Sequence, residues 1–253
     1  MLRYLFLSLL VLASPLRAEG GISASVAGKI GQRIWQNECA GTVAGLTSWN
    51  AGEYFASLGI AHFIWYPVGV TGPYQESFPG LVQFLASRKV SVPPWLLKAR
   101  GCPWRTREEF AAALQSPALK EIRSLLAGTV PLQAEYAAMR SAASLPKMLA
   151  ALPRAQRPAV EAKYRALAAS GAGLYCLIDY VNFKGEGTNP KERYSGQGWG
   201  LLQVLQEMTV GTPAEFSAAS KRVLAKRIAV APKDETRWKK GWFNRCDSYA
   251  RGL

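Results

Sequence analysis

The sequence predicts an α+β fold, predominantly α-helical, with a small antiparallel β-sheet after the first helix. Three observations lead there. Ile30, Ile34 and Glu38 recur at i, i+4 and i+8, which puts them on one face of a helix over residues 25–39. Residues 54–66 alternate as a strand or hairpin and stop at Pro67. Beyond Arg105 the chain becomes alanine-rich and is punctuated by helix-start signals.

The first helix is stopped by Ala40-Gly41-Thr42, and Glu38 sits at its C-terminal end. Burial at the end of an apolar stripe and the negative end of the helix dipole both disfavour a charged carboxylate there. Glu38 is therefore expected to hold a proton readily, as a general acid must. Three glycines and the Ser48-Trp49-Asn50 cluster mark turns over residues 41–53, with a short strand around 45–47. Within residues 54–66, Ser57, Gly59 and Ala61 share one face and are all small. Such a face fits the floor of a cleft, and equally a closely packed crossing helix. His62, the single histidine, falls on the other face with Leu58, Ile60 and Ile64, where a structural role is expected. Residues 67–105 are irregular, rich in proline and glycine, and contain one helix over 79–87.

Thr106-x-x-Glu109 is a capping box, Ser116-Pro117 a helix start, and Thr212-Pro213-x-Glu215 joins a box to proline at the first helical position. Helices are expected over 107–115, 117–127, 131–150 and 158–170. Residues 173–183 are the most continuously apolar stretch outside the N-terminus and read as a buried helix. Asp179 within it must be paired or hydrogen-bonded, because an isolated buried charge is costly. The polar, glycine-rich segment 184–199 follows. It supplies Glu186, Glu192, Tyr194 and Gln197 as candidate ligand contacts. Helices over 199–208 and 213–229 lead to a basic C-terminal segment, where lysines and arginines alternate with Trp238, Trp242 and Phe243.

Thirty-one Lys and Arg against 17 Asp and Glu give a formal net charge of +14. That surplus favours anionic partners such as a cell wall, a membrane surface or nucleic acid, and argues against a polycationic substrate. Residues 1–18 read as a secretory signal, with Arg3, an apolar core over 5–12 and a Pro-Leu-Arg-Ala end. The expectation is therefore an exported, periplasmic or extracellular protein, with residues 19–253 forming one domain. Its N-terminal part (19–105) carries the first helix, the β region and loops, and 106–253 is helical. Export makes the wall the leading partner, nucleic acid is not expected, and no membrane span remains after cleavage. Cys39, Cys102, Cys176 and Cys246 are even in number, which in an oxidising compartment predicts at least one disulfide. Their wide spacing with one histidine gives no zinc site. No cofactor is called for.

Tyr54-Phe55 followed by Ser57-Leu58-Gly59-Ile60-Ala61-His62 resembles the aromatic-Thr-Ile-Gly-x-Gly-His strand of phage-type lysozymes. The apolar segment 173–183 is also similar to the helix behind the cleft of lysozyme-like folds. The resemblance implies a two-lobed lysozyme-like domain, with Glu38 as the catalytic acid and Ser57 as the hydroxyl residue that holds a reacting water. Serine stands for threonine and Ala61 for the second glycine. The family's aspartate position is Ala51, leaving Glu53 as the nearest carboxylate. Trp49, Asn50, His62, Trp65 and Asn182 join Glu186, Tyr194 and Gln197 as candidate glycan contacts, since aromatic faces suit sugar rings and carboxamides suit their polar groups. The implied activity is cleavage of the β-1,4 glycan of peptidoglycan, by hydrolysis or by transglycosylation. The alternative is a wall-binding protein that keeps the cleft without the chemistry.

Overall fold

A computed structural model describes residues 22–253. The expected signal segment, residues 1–18, lies outside the described residues. The fold is α+β and predominantly helical. Helix α1 (Ala24–Cys39) is capped by Ser23, whose hydroxyl accepts from Val26 N, and buries Ile30 and Ile34 completely. It ends where Ala40 turns into the left-handed region at φ 52°. A three-stranded antiparallel sheet follows in the order β1 (Thr47–Ser48), β2 (Ala56–Leu58), β3 (Phe63–Trp65). Its register sets Ser57 opposite Ser48 on one side and Ile64 on the other.

The stretch expected as a strand or hairpin is thus a hairpin, and residues 59–62 are its turn. Gly59 (φ 75°) and His62 (φ 48°) both take left-handed conformations there. A Cβ on Gly59 would lie 2.5 Å from Gln133 Oε1, the same oxygen that accepts from Ile60 N at 3.0 Å. A crossing helix, not a ligand, accounts for this glycine. The turn also breaks the alternation, which frees His62 from the apolar face assigned to it.

Helices α2 (Phe78–Ser87) and α3 (Pro94–Lys98) lie in the region expected to be irregular with a single helix. They are followed by α4 (Arg107–Ala112) and α5 (Pro117–Gly128), then the long α6 (Val130–Ala150). The three predicted caps are formed: Thr106, Ser116 and Thr212 each accept from the backbone N–H three residues on. Helix α7 (Arg157–Ala168) leads into α8 (Gly171–Lys184), which is buried through its middle. The chain closes with α9 (Leu201–Glu207), α10 (Pro213–Val230) and α11 (Thr236–Arg251). Among the described residues no helix is long and apolar enough to cross a membrane.

The expected disulfide is not present: all four cysteines are free and buried. They behave as small core side chains, which is the commonest use of an unpaired cysteine. Cys39 Sγ donates to Gly59 O, and Cys176 Sγ to Ala172 O. The segment around Cys102 is fastened by backbone pairing instead, Cys102 N donating to Tyr66 O at 2.8 Å.

Candidate functional site

The C-terminal turn of α1, the middle of α8, the end of α11 and the β2–β3 turn meet at a polar cluster inside an apolar protein. Its centre is Arg245 on α11. The Arg245 guanidinium grips Asp179 through two bonds, Nε to Oδ2 at 2.8 Å and Nη2 to Oδ1 at 2.9 Å, and also donates to Glu38 Oε1. Asp179 is fully buried, and its remaining acceptor capacity is filled by Tyr249 Oη (2.7 Å) and Asn37 Nδ2 (3.0 Å). Asn37 Nδ2 also reaches Tyr175 Oη, which shares a hydrogen bond with Ser248 Oγ. The Phe183 ring lies 4.3 Å from the Arg245 guanidinium carbon.

Burial works against the charge on Arg245, yet the carboxylates of Asp179 and Glu38 outweigh it and hold the guanidinium above its usual value. Burial, with Asp179 beside it, pushes the Tyr175 phenol up to about 12. The cluster is therefore a rigid charged clamp with one arm reaching the surface. That arm is Glu38, whose side chain keeps 12% of its accessibility. Its second oxygen faces His62 Nδ1 at 3.5 Å, longer than a good hydrogen bond. The expectation for Glu38 weighed burial and the helix dipole alone; the structure adds a guanidinium against the same carboxylate.

The other candidates are dispersed. Ser57 is buried on β2, and its carbonyl accepts from Ser48 Oγ. Glu53 accepts from Asn50 Nδ2 at 3.1 Å in the turn before β2, so these two candidates contact each other rather than the clamp. Trp49 and Trp65 are core residues rather than sugar platforms. Trp49 donates from its indole to Glu53 O and packs on Phe110, while Trp65 packs between Phe78 and Trp104. Tyr194 packs in a tilted arrangement on Trp199 with centroids 4.4 Å apart and donates to Glu235. Gln197 pairs with Tyr194 through the backbone and lines a surface groove of about 510 Å³, away from the clamp residues, beside Arg193, Gln156 and Gln206. Glu186 meets Lys147 at 3.7 Å, and Asn182 keeps a buried Nδ2 with no acceptor among the described residues.

No protein-family model matches the chain, and no curated protein or solved structure matches it either.

The glycines of segment 184–199 have a structural cause. A Cβ on Gly198 would clash with the Gln203 side chain, and one on Gly187 would sit closer still. Gln203 accepts from Gly200 N and donates to Gly187 O, tying the loop to the start of α9. Four basic residues of α10 are paired, Lys221 with Asp247, Lys226 with Glu207, Arg222 with Glu207 and Glu215, and Arg227 with Glu235, whereas Arg237, Lys239 and Lys240 on α11 form no salt bridge among the described residues.

The sequence requires that Asp179 be paired or hydrogen-bonded, and it is. Sequence reasoning missed Arg245, Asn37 and Tyr249. A buried aspartate demands a cation, but nothing in the spacing singles out one among 31 lysines and arginines. The one available signal was local: Arg245 precedes Cys246, Ser248 and Tyr249, the buried face of an otherwise polar helix.

Proposed function

We propose that the protein cleaves the β-1,4 glycan of peptidoglycan with Glu38 as the general acid, and that the reaction is a transglycosylation closing the sugar on itself. The observation that carries this reading is a single, partly accessible glutamate held by the buried Arg245–Asp179 pair beside the hairpin turn that bears His62. Pre-organisation of that kind costs stability in a purely structural cluster and is useful where an acid must be aimed.

Glu38 would donate its proton to the glycosidic oxygen as the bond to the anomeric carbon breaks. Arg245 is placed to stabilise the carboxylate left behind. A hydrolase needs a second carboxylate at roughly 5–9.5 Å from the acid. Asp179 cannot serve, since it is fully buried and saturated by Arg245, Tyr249 and Asn37. Glu53 accepts from Asn50, and among the described residues no hydrogen bond or ion pair joins it to the Glu38 cluster. With neither joined to Glu38 as a second catalytic carboxylate, the Glu38 carboxylate itself would take the proton from the sugar's C6 hydroxyl as that oxygen attacks the anomeric carbon. The product would be an anhydro-muramyl end, formed without water. The secretory signal expected over residues 1–18 and the surplus of basic residues would suit the same substrate.

The test uses purified protein and isolated sacculi, comparing the wild type with Glu38→Gln. Release of fragments with anhydro-muramyl ends by the wild type alone is expected. New reducing ends would make the enzyme a hydrolase. Binding without release by either protein would leave a wall-binding scaffold in which the Glu38–Arg245 pair is only structural.

A further inference from the structure

A groove of about 510 Å³ lies where the chain just after α6, the loop before α9, α9 itself and α10 come together, and none of the clamp residues lines it. Its volume is in the range of small-ligand sites. Leu152, Leu202 and Val223, all buried, give it an aliphatic side. The opposing loop is a fixed wall. Tyr194 N donates to Gln197 O at 3.1 Å and Gln197 N to Tyr194 O at 2.8 Å, with Ser195 (φ 48°) and Gly196 (φ 77°) left-handed between them, as a tight two-residue turn requires. The Tyr194 ring, packed on Trp199, anchors that turn. Several polar groups of the groove are already committed: Glu207 to Lys226 and Arg222, and Gln203 to Gly200 N and Gly187 O. Others are not. Gln206 Nε2 donates to Gln156 Oε1 at 3.1 Å, which leaves the Gln156 amide hydrogens and the Gln206 carbonyl oxygen without a protein partner among the described residues. The Arg193 guanidinium and the Gln197 carboxamide, which also line the groove, bond to no other group among the described residues.

We propose that this groove binds a short peptide, Arg193 taking its terminal carboxylate, the carboxamides its backbone amides, and the aliphatic side one apolar side chain. A carboxamide offers a donor and an acceptor together, as a backbone amide does. A guanidinium grips a carboxylate through two parallel bonds, and Glu207, the one acid of the groove, is held by its own partners. No aromatic ring lines the groove, so a sugar finds no face to stack on, whereas a branched aliphatic side chain meets Leu152, Leu202 and Val223. The site is independent of the glycan reading, because it uses neither Glu38 nor any residue that holds it.

The experiment dialyses the protein against a library of N-acetylated tripeptides with valine, leucine or isoleucine in the middle, and identifies the retained members by mass spectrometry. The best-retained peptide is then titrated as its free acid and as its amide. The wild type is expected to bind the acid about fivefold more tightly, the scale of an exposed guanidinium–carboxylate pair. Arg193→Gln should bring the two forms to equality and leave the amide's affinity unchanged. Ala151 is exposed and lines the groove, so Ala151→Trp should fill it and weaken both forms about tenfold or more. Should Ala151→Trp fail to fold, the double variant Gln156→Ala, Gln206→Ala, which changes two exposed side chains, is read in its place by the same criterion. Retention of no tripeptide, equal binding of acid and amide by the wild type, an undiminished preference in Arg193→Gln, or binding untouched by the groove variants would overturn the proposal. So would displacement of the peptide by an equal concentration of an N-acetylglucosamine trimer, which would make the groove a sugar site. Failure of the wild type to release fragments from sacculi, with peptide binding intact, would sink the enzymatic reading and leave the groove standing.

Discussion

Replacing Asp179 with asparagine is the most informative perturbation of the clamp. The side chain keeps its size but loses its charge, so Arg245 keeps only Glu38 as a counter-ion. Three of the four bonds that Asp179 accepts come from Arg245 and Tyr249, and a carboxamide presents only one oxygen to those donors. Breaking one partner of a buried ion pair costs about 3–5 kcal/mol. For a chain of this size that corresponds to a melting temperature about 10 °C lower, or more. Urea titration checks it through a lower midpoint at unchanged slope. The companion variant Arg245→Met leaves Asp179 buried with Tyr249 and Asn37 as its only donors, and should cost a similar amount. Because each single change strands the other charge, the double variant should lose about 1–3 kcal/mol less than the two singles together. A loss below about 1 kcal/mol in Asp179→Asn, or strict additivity in the double, would refute the clamp as described.

Further outcomes follow from the same structure. Burial, together with Arg227 and Arg245, lowers Lys184 to about 7, although its ammonium lies 3.6 Å over the Trp242 ring. A lysine with a depressed folded value penalises the fold fully below pH 7, and the penalty lifts as pH rises towards the unfolded value near 10.5. Lys184→Met should therefore stabilise the protein at pH 6, by at most about 5 kcal/mol, with the gain shrinking to nothing by about pH 10; a pH-independent difference in urea midpoints would contradict this. Burial, with Glu38 beside it, pushes the Cys39 thiol up to about 12, and burial does the same for Cys102 and Cys246. All four cysteines should resist a thiol reagent at pH 8 in the native protein and react together after denaturation without reductant; fewer than four reactive thiols then would mean that a disulfide forms. Trp65→Ala should cost about 3–5 kcal/mol as a core truncation without changing glycan affinity, whereas a selective loss of binding would return Trp65 to the ligand site.

Much of the fold was legible along the chain because its causes are local. Side-chain periodicity, Ser and Thr caps and proline at helix starts place α1, α5 to α8 and α10 within a residue or two, the helix expected over 107–115 overruns α4 by three residues, and Pro67 ends the hairpin region. The short α3 escaped, since five residues starting at a proline carry no periodic signal. Local pattern also singled out Glu38 and required a partner for Asp179. What it could not supply was that partner, because Arg245 lies 66 residues from Asp179 and 207 from Glu38. It left the tryptophans open: Trp49 and Trp65 suit a sugar face as well as a core, and only packing against Phe110, Phe78 and Trp104 decides between them. His62 shows the same limit at shorter range, since a left-handed turn at one residue overrides strand alternation and aims the imidazole at Glu38. The sequence by itself determined which segments form elements and which residues need burial or pairing. Tertiary structure alone decided which charges meet, because the energy of an ion pair depends on separation in space and not on position along the chain.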